Sequence, residues 1–347
     1  MKKIFLLLLS WIILFSFACR EEEMPTPVIS AANGFYVVNE GGFNHGNASL
    51  GYYDIKDKTY TDKLFKNANQ RVMGDIFQAF YIYGDRAYCV LNNSGYIEVI
   101  DTGTYVQIDR ISGFNAPRNM LFMNESKAYV SDLYANSIQV VNLPMGTIDK
   151  TIPIPSWTEN MILANNRVFV AAPWDIRERI KNQIYVIDPQ TDVLMDSITV
   201  GYDPVSIELD KNDKLWVYCR GAEGENAPGG IYRINTQNLS VETAMLFDDY
   251  EAGITSTLAI NGTKDTLYYL KKDVFQLPIS AAVLPPDAII SSDEKNLYSL
   301  DINPQNGAII ITDAGDFVQK GQVFIYDSNG HLVDDFRAGV IPSGVVF

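Results

Sequence analysis

The chain of 347 residues carries 42 acidic against 27 basic side chains, a net charge of −15, with only two His and three Cys. That excess of negative charge excludes nucleic acid and other polyanions as natural partners. Two isolated His, no G-x-S-x-G and no Gly-rich phosphate loop leave little material for nucleophilic or phosphoryl-transfer chemistry.

In chain order, Lys2 and Lys3 precede an apolar run, Ile4–Phe17, and Ser16-Phe17-Ala18-Cys19 forms a cleavage box. A run of this length reads as a signal peptide, residues 1–18, and not as a spanning helix. Cys19 at the junction is the predicted lipidation site, and acyl chains on it would give stable membrane attachment. Residues 19–32 hold Arg20-Glu21-Glu22-Glu23 and then Met24-Pro25-Thr26-Pro27, and read as a tether.

From residue 33 to 347 a unit of about 45 residues recurs, which is the period of a β-propeller blade. The best-preserved piece is an apolar strand ending in Asp or Asn. It appears as Gly51-Tyr52-Tyr53-Asp54, Val99-Ile100-Asp101, Val140-Val141-Asn142, Val186-Ile187-Asp188, Arg233-Ile234-Asn235 and Ile325-Tyr326-Asp327. The last gap is double, so an eroded copy is placed at Asp273–Ile279. Each unit reads as four strands. Pro117–Phe122 is a first strand. Tyr129–Asp132, Phe169–Ala172 and Trp216–Cys219 are second strands, the Asp/Asn repeat is the third, and Asp149–Pro153 is a fourth. The first unit opens at Gly34–Val38, a second strand with no first strand before it. The last residues, Ile341–Phe347, supply the missing one and remove an open sheet edge. The predicted fold is all-β: one domain, a seven-bladed propeller of four-stranded blades closed by both ends of the chain. Cys89 and Cys219 fall in blades on opposite sides of the ring, too far apart for a disulfide.

The long insertions lie between second and third strands, at residues 40–48, 173–182, 220–229 and 314–321, and the connections between blades are also elaborate. Both kinds of loop share one rim, whereas the other rim has tight turns at 166–167, 212–213 and 328–330. Elaboration of a single rim points to a binding face. Its aromatic and polar residues are the candidate ligand contacts: Phe43, Asn92, Arg118, Tyr134, Trp157, Glu159, Trp174, Asp175, Tyr202, Arg220, Asp316 and Phe317. Flat apolar groups interleaved with amides and a few charges suit a bulky, partly apolar ligand bearing hydrogen-bonding groups. No catalytic residues and no protein cofactor are assigned. The ends of the second strands, Asn39, Asn92, Asp132 and Asp313, are expected to approach the channel. Asp132 and Asp313 therefore leave open a metal site of the kind that propeller lactonases and lyases use. The repeat Asp residues themselves are expected to cap turns.

The pattern Tyr-Val-x-Asp, Asn-x-Ile-x-Val-Val-Asn and Thr-Ile-Pro-Ile resembles the YncE-like family of seven-bladed propellers over nearly all of residues 33–347. Several segments are more specific: Val38–Leu50, Asn92-Asn93-Ser94-Gly95, Asp132–Asn136, Trp216–Gly221 and Ile341–Gly344. With the lipidation box, they resemble the BtuG-type surface lipoprotein propellers. That resemblance implies capture of cobalamin or a related corrinoid, and its transfer to a TonB-dependent outer-membrane transporter. It also implies a lipid-anchored position on the outer membrane, and the acidic run after Cys19 is similar to a surface-export signal. Capture of another nutrient, or a scaffolding role beside a transporter, stays open at this point.

Overall fold

The structure is a computed structural model that describes residues 33–174, 179–248, 250, 257–293 and 295–347. The segments expected to be a signal peptide and a tether, residues 1–32 with Cys19, lie outside the described residues, as does Asp175.

Seven antiparallel sheets follow one another around a central axis. Six have four strands. The sixth blade has three, Thr257–Ile260, Thr266–Lys271 and Asp273–Pro278. The eroded repeat is therefore a true third strand. What is missing is its outer neighbour, reduced to a single bridge between Val274 and Ile290. Pro285 and Pro286 in the connecting stretch cannot donate to a ladder, which accounts for the loss.

The ring closes as expected. Gly34–Asn39 pairs on one side with Ser49–Asp54 and on the other with Pro342–Val346, in the register Tyr36 opposite Val346 and Val38 opposite Gly344. Each blade is covered on both faces by its neighbours, so the middles of the second strands are apolar on both faces and do not alternate with polar residues. Trp216, Val217, Tyr218 and Cys219 are all fully buried, two on each face of blade five. At the closing seam Phe35, Val37, Ile310, Val323 and Val345 pack in one cluster, each large side chain contributing about 2 kcal/mol of burial. Cys89 and Cys219 are buried free thiols.

The Asp/Asn repeat caps turns. Asp101 accepts from Thr104 N at 2.8 Å and Thr104 Oγ1 at 2.6 Å, Asp188 from Gln190 N at 2.9 Å, and Asn235 from Gln237 N at 3.0 Å. Asp327 accepts from the backbone of His331 and Asn329, which holds its carboxyl down at about 2. These carboxylates sit on the plain rim, away from any shared site.

The first strands line the axis, and their alternation points every second side chain into the bore. In blades five and seven this places Glu208, two residues after Ser206, and Asp301, two residues after Ser299, inside it. Burial pushes Glu208 up to about 8; the nearby Asp301 adds to the shift and Lys264 opposes it. Burial likewise pushes Asp301 to about 7, although Val345 N donates to it at 3.0 Å. Both groups hold protons more tightly folded than unfolded, so stability falls as pH rises from about 4 to about 8. Glu208→Gln should therefore raise the melting temperature clearly at pH 8.5 and hardly at pH 4.5. A difference between variant and parent that does not grow with pH over that range contradicts this assignment.

Candidate ligand cavity at the elaborated rim

Where the bore opens onto the elaborated rim it widens into a cavity of about 600 Å³. The cavity continues downward into a narrower space of about 310 Å³, sharing Asn160, Ser206 and Thr257 as lining. Its size falls in the ordinary range for ligand sites.

One wall is aromatic. Trp174 is the last residue of the strand Arg167–Trp174, so the expected loop is shorter and the strand longer than the sequence suggests. The Trp174 carbonyl accepts from Trp157 N at 2.7 Å and also from the Ser156 hydroxyl. The two indoles consequently lie nearly parallel, with centroids 6.4 Å apart, and Tyr134 packs edge-on against Trp157 at 5.1 Å. Trp174 Nε1 donates to Asp203 Oδ1 at 3.2 Å, while Arg220 Nε donates to Asp203 Oδ2 at 2.6 Å. Asp203 is 5% exposed and sits at φ 58°, at the start of blade five. One buried carboxylate thus fixes a Trp from blade four and an Arg from blade five.

The adjoining side is charged and internally paired. Arg118 Nε donates to both oxygens of Glu159, at 3.1 and 2.9 Å, and its Nη1 donates to Gln78 Oε1. Burial works against the Arg118 charge, but Glu159 and Glu40 outweigh it and hold the guanidinium more firmly protonated than usual. Glu40 is pushed upward by burial, even though Tyr298 OH donates to it at 2.9 Å and Arg118 faces it. Phe317 supports Tyr298 edge-on at 5.7 Å.

Of the residues expected from sequence, Arg118, Trp157, Glu159, Trp174 and Arg220 come together in this cavity. Tyr134 and Phe317 stand one layer behind, against Trp157 and Tyr298. Phe43, Asn92, Tyr202 and Asp316 do not line it. Phe43 projects from a rim loop, 66% exposed; Asn92 donates to Pro117 O at 3.2 Å; Asp316 caps its own loop at Val318 N and Gln319 N. The Tyr202 carbonyl accepts from Gly221 N at 3.0 Å. The cavity also holds Glu40, Gln78, Asn119, Asn160, Ser206, Thr257, Tyr298, Ser299 and Ser343. Most of these belong to the first strands, and their signal was a polar residue one or two places after the turn that begins each blade.

The channel-lining role expected for the second-strand ends is not what the structure has, because first strands occupy the axis. Asn39 is fully buried and holds Gly339 N at 2.8 Å. Asp132 is fully buried and accepts from Asn115 N and Ala116 N at 2.7 and 2.9 Å, and Asp313 accepts from Gly315 N at 2.8 Å. Asn39 thus ties a strand of blade seven, and Asp132 and Asp313 tie loops. Among the described residues no group of three or more His, Cys, Asp or Glu is placed to hold a metal ion.

Residues 33–347 match the family described as Domain of unknown function (DUF5074). The chain belongs to the DUF5074 family. Its fold recurs in a quinonprotein alcohol dehydrogenase-like protein from Bacteroides thetaiotaomicron, with TM-score 0.66, 13% identity, and coverage of 91% of this chain and 78% of that one. Hydrazine synthase of Kuenenia stuttgartiensis superposes with TM-score 0.58 at 14% identity, covering 75% and 85%. The Cps50 (Swd1) propeller domain of Myceliophteria thermophila gives TM-score 0.57 at 10% identity, covering 81% and 94%. At these identities the likeness concerns the fold alone. No curated protein matches the sequence.

Removing the shared acceptor should loosen both walls at once. Asp203→Ala is expected to cost about 2–3 kcal/mol, since it leaves a half-buried guanidinium and an indole N–H without that partner. Urea unfolding measures the loss. A variant within about 0.5 kcal/mol of the parent would mean that Asp203 does not organise the wall.

Proposed function

We propose that this DUF5074 protein is a non-catalytic capture protein whose rim cavity takes cobalamin or a related corrinoid. The observation that carries the reading is the cavity itself, with a two-indole wall facing neutral and internally paired polar groups at the one elaborated rim. A corrin ring offers a broad apolar face for Trp157 and Trp174, and its amide-bearing edge needs many uncharged donors and acceptors. The cobalt arrives already coordinated, so no set of protein metal ligands is required. The sequence resemblance to BtuG-type propellers supports the same ligand, and with it transfer to a TonB-dependent transporter in the outer membrane.

The direction of the first described strand bears on anchoring. Gly34–Asn39 runs from the plain rim to Glu40 at the cavity rim, so the chain before Asn33 attaches at the plain rim. A lipid on Cys19 would then tether the propeller from its plain rim.

Calorimetric titration with cyanocobalamin tests the reading. The expected result is one corrinoid bound per chain. In Trp157→Ala the affinity should fall about thirtyfold, the loss of roughly 2 kcal/mol typical of a central aromatic anchor. No heat, and no corrinoid absorbance travelling with the protein on gel filtration, would remove the corrinoid reading.

A further inference from the structure

The floor of the cavity has a regularity that the function stated above does not require. Each of the seven blades contributes one uncharged hydrogen-bonding side chain to it, from its first strand or the residue just before that strand. They are Ser343, Gln78, Asn119, Asn160, Ser206, Thr257 and Ser299, in blade order. Where acceptor atoms of this ring are used inside the protein, the amide N–H groups stay free. Gln78 Oε1 accepts from Arg118, and Asn119 Oδ1 accepts from Tyr81 OH at 3.1 Å. Neither side-chain NH₂ group has a described partner, and the Asn160 carboxamide makes no hydrogen bond to a described residue. Blades two to four therefore form an arc with free donors, to which Asn160 adds a free acceptor as well. The hydroxyls of the other blades complete the ring and are partly engaged within the protein: Ser206 accepts from Leu258 N at 3.0 Å, Ser343 donates to Val38 O at 3.4 Å, and Ser299 pairs with Thr312 at 2.9 Å.

The charges around the ring are unequal. Arg118 and Arg220 are bound to Glu159 and Asp203, Glu40 adds a further carboxyl, and Glu208 and Asp301 stand directly below in the bore. Both arginines at the ring are already bound to carboxylates, so donors there suit a carbonyl oxygen that carries no charge. A carboxylate could accept the same hydrogen bonds but would find no uncommitted cation among the lining residues to balance its charge. A carboxamide satisfies both sides, its oxygen on the donor arc and its NH₂ towards the hydroxyls and carboxyls.

We propose that this seven-blade ring is a specificity filter that accepts a neutral carboxamide arm of the ligand and rejects the corresponding carboxylate. The inference rests on the corrinoid reading and adds to it the chemistry that the floor selects. Sites built to hydrogen-bond one group discriminate strongly against a substitute that leaves buried polar atoms mismatched.

The test compares cyanocobalamin with its monocarboxylates, each carrying one peripheral amide hydrolysed to the acid, by calorimetry at pH 7.5. At least one monocarboxylate should bind ten or more times more weakly than the amide. Asn160→Asp, which places a charge in the ring without changing its shape, should weaken cyanocobalamin by a similar factor with an unchanged melting temperature. If the amide binds and every monocarboxylate binds within twofold of it, the filter is overturned while the corrinoid reading stands. If Asn160→Asp does not fold, the ligand series alone decides. If neither the amide nor any acid binds, the corrinoid reading falls and the filter falls with it.

Discussion

Pairing of Pro342–Val346 with Gly34–Asn39 is the constraint on which the rest of the molecule depends. A propeller blade has no stable face of its own, since each sheet is apolar on both sides and needs a neighbour on each. Closing the ring with a strand from the far end of the chain gives blade one its axial strand and gives blade seven its second neighbour. It also completes the bore. Ser343 and Val345 lie on that closing strand, and Asp301 of blade seven holds the backbone N–H of Val345. The cavity floor thus exists as a closed circle only when both chain ends are in place.

From that circle the division of labour between the rims follows. Blades are rigid because their third strands end in Asx caps that fix the turns of the plain rim. The loops of the other rim are then free to differ, and two of them converge on Asp203. The cavity is organised by paired charges more than by free ones: Arg118 with Glu159, Arg220 with Asp203, and Glu40 with Tyr298. Such a site is pre-organised, because its polar groups are already held before a ligand arrives. The carboxyls deeper in the bore are a cost to stability above neutral pH, and a propeller could fill those positions with apolar residues, as it does with Val345.

The architecture was largely legible in the sequence because repetition amplifies a weak signal. A single Val-Ile-Asp is uninformative, whereas six of them at one period define the blade number and show that the first blade lacks a strand which the last residues supply. The eroded sixth repeat was placed correctly, but the loss of its outer strand was not, since periodicity reports what recurs and not what is missing. The cavity was legible only in part. Trp157, Trp174, Arg118, Glu159 and Arg220 stood out as large or charged residues in rim segments. The floor did not stand out, because a lone Ser206 or Ser343 after a Pro looks like any turn, and only the ring brings seven such residues together. Taking the second-strand ends to approach the channel left open a metal site at Asp132 and Asp313. Strand order from the axis outward is a tertiary property that neighbouring residues do not encode, and both carboxylates prove to be loop ties.

The central claim, that ligand enters at the elaborated rim and reaches the bore, is tested most directly by hydrogen–deuterium exchange with and without saturating cyanocobalamin. Binding there should slow exchange in the loops around residues 40–46, 155–160 and 220–229 and in the upper parts of the first strands, leaving the turns at 165–167, 211–213 and 328–330 unchanged. Protection confined to those plain-rim turns, with the cavity loops exchanging as before, would contradict the account.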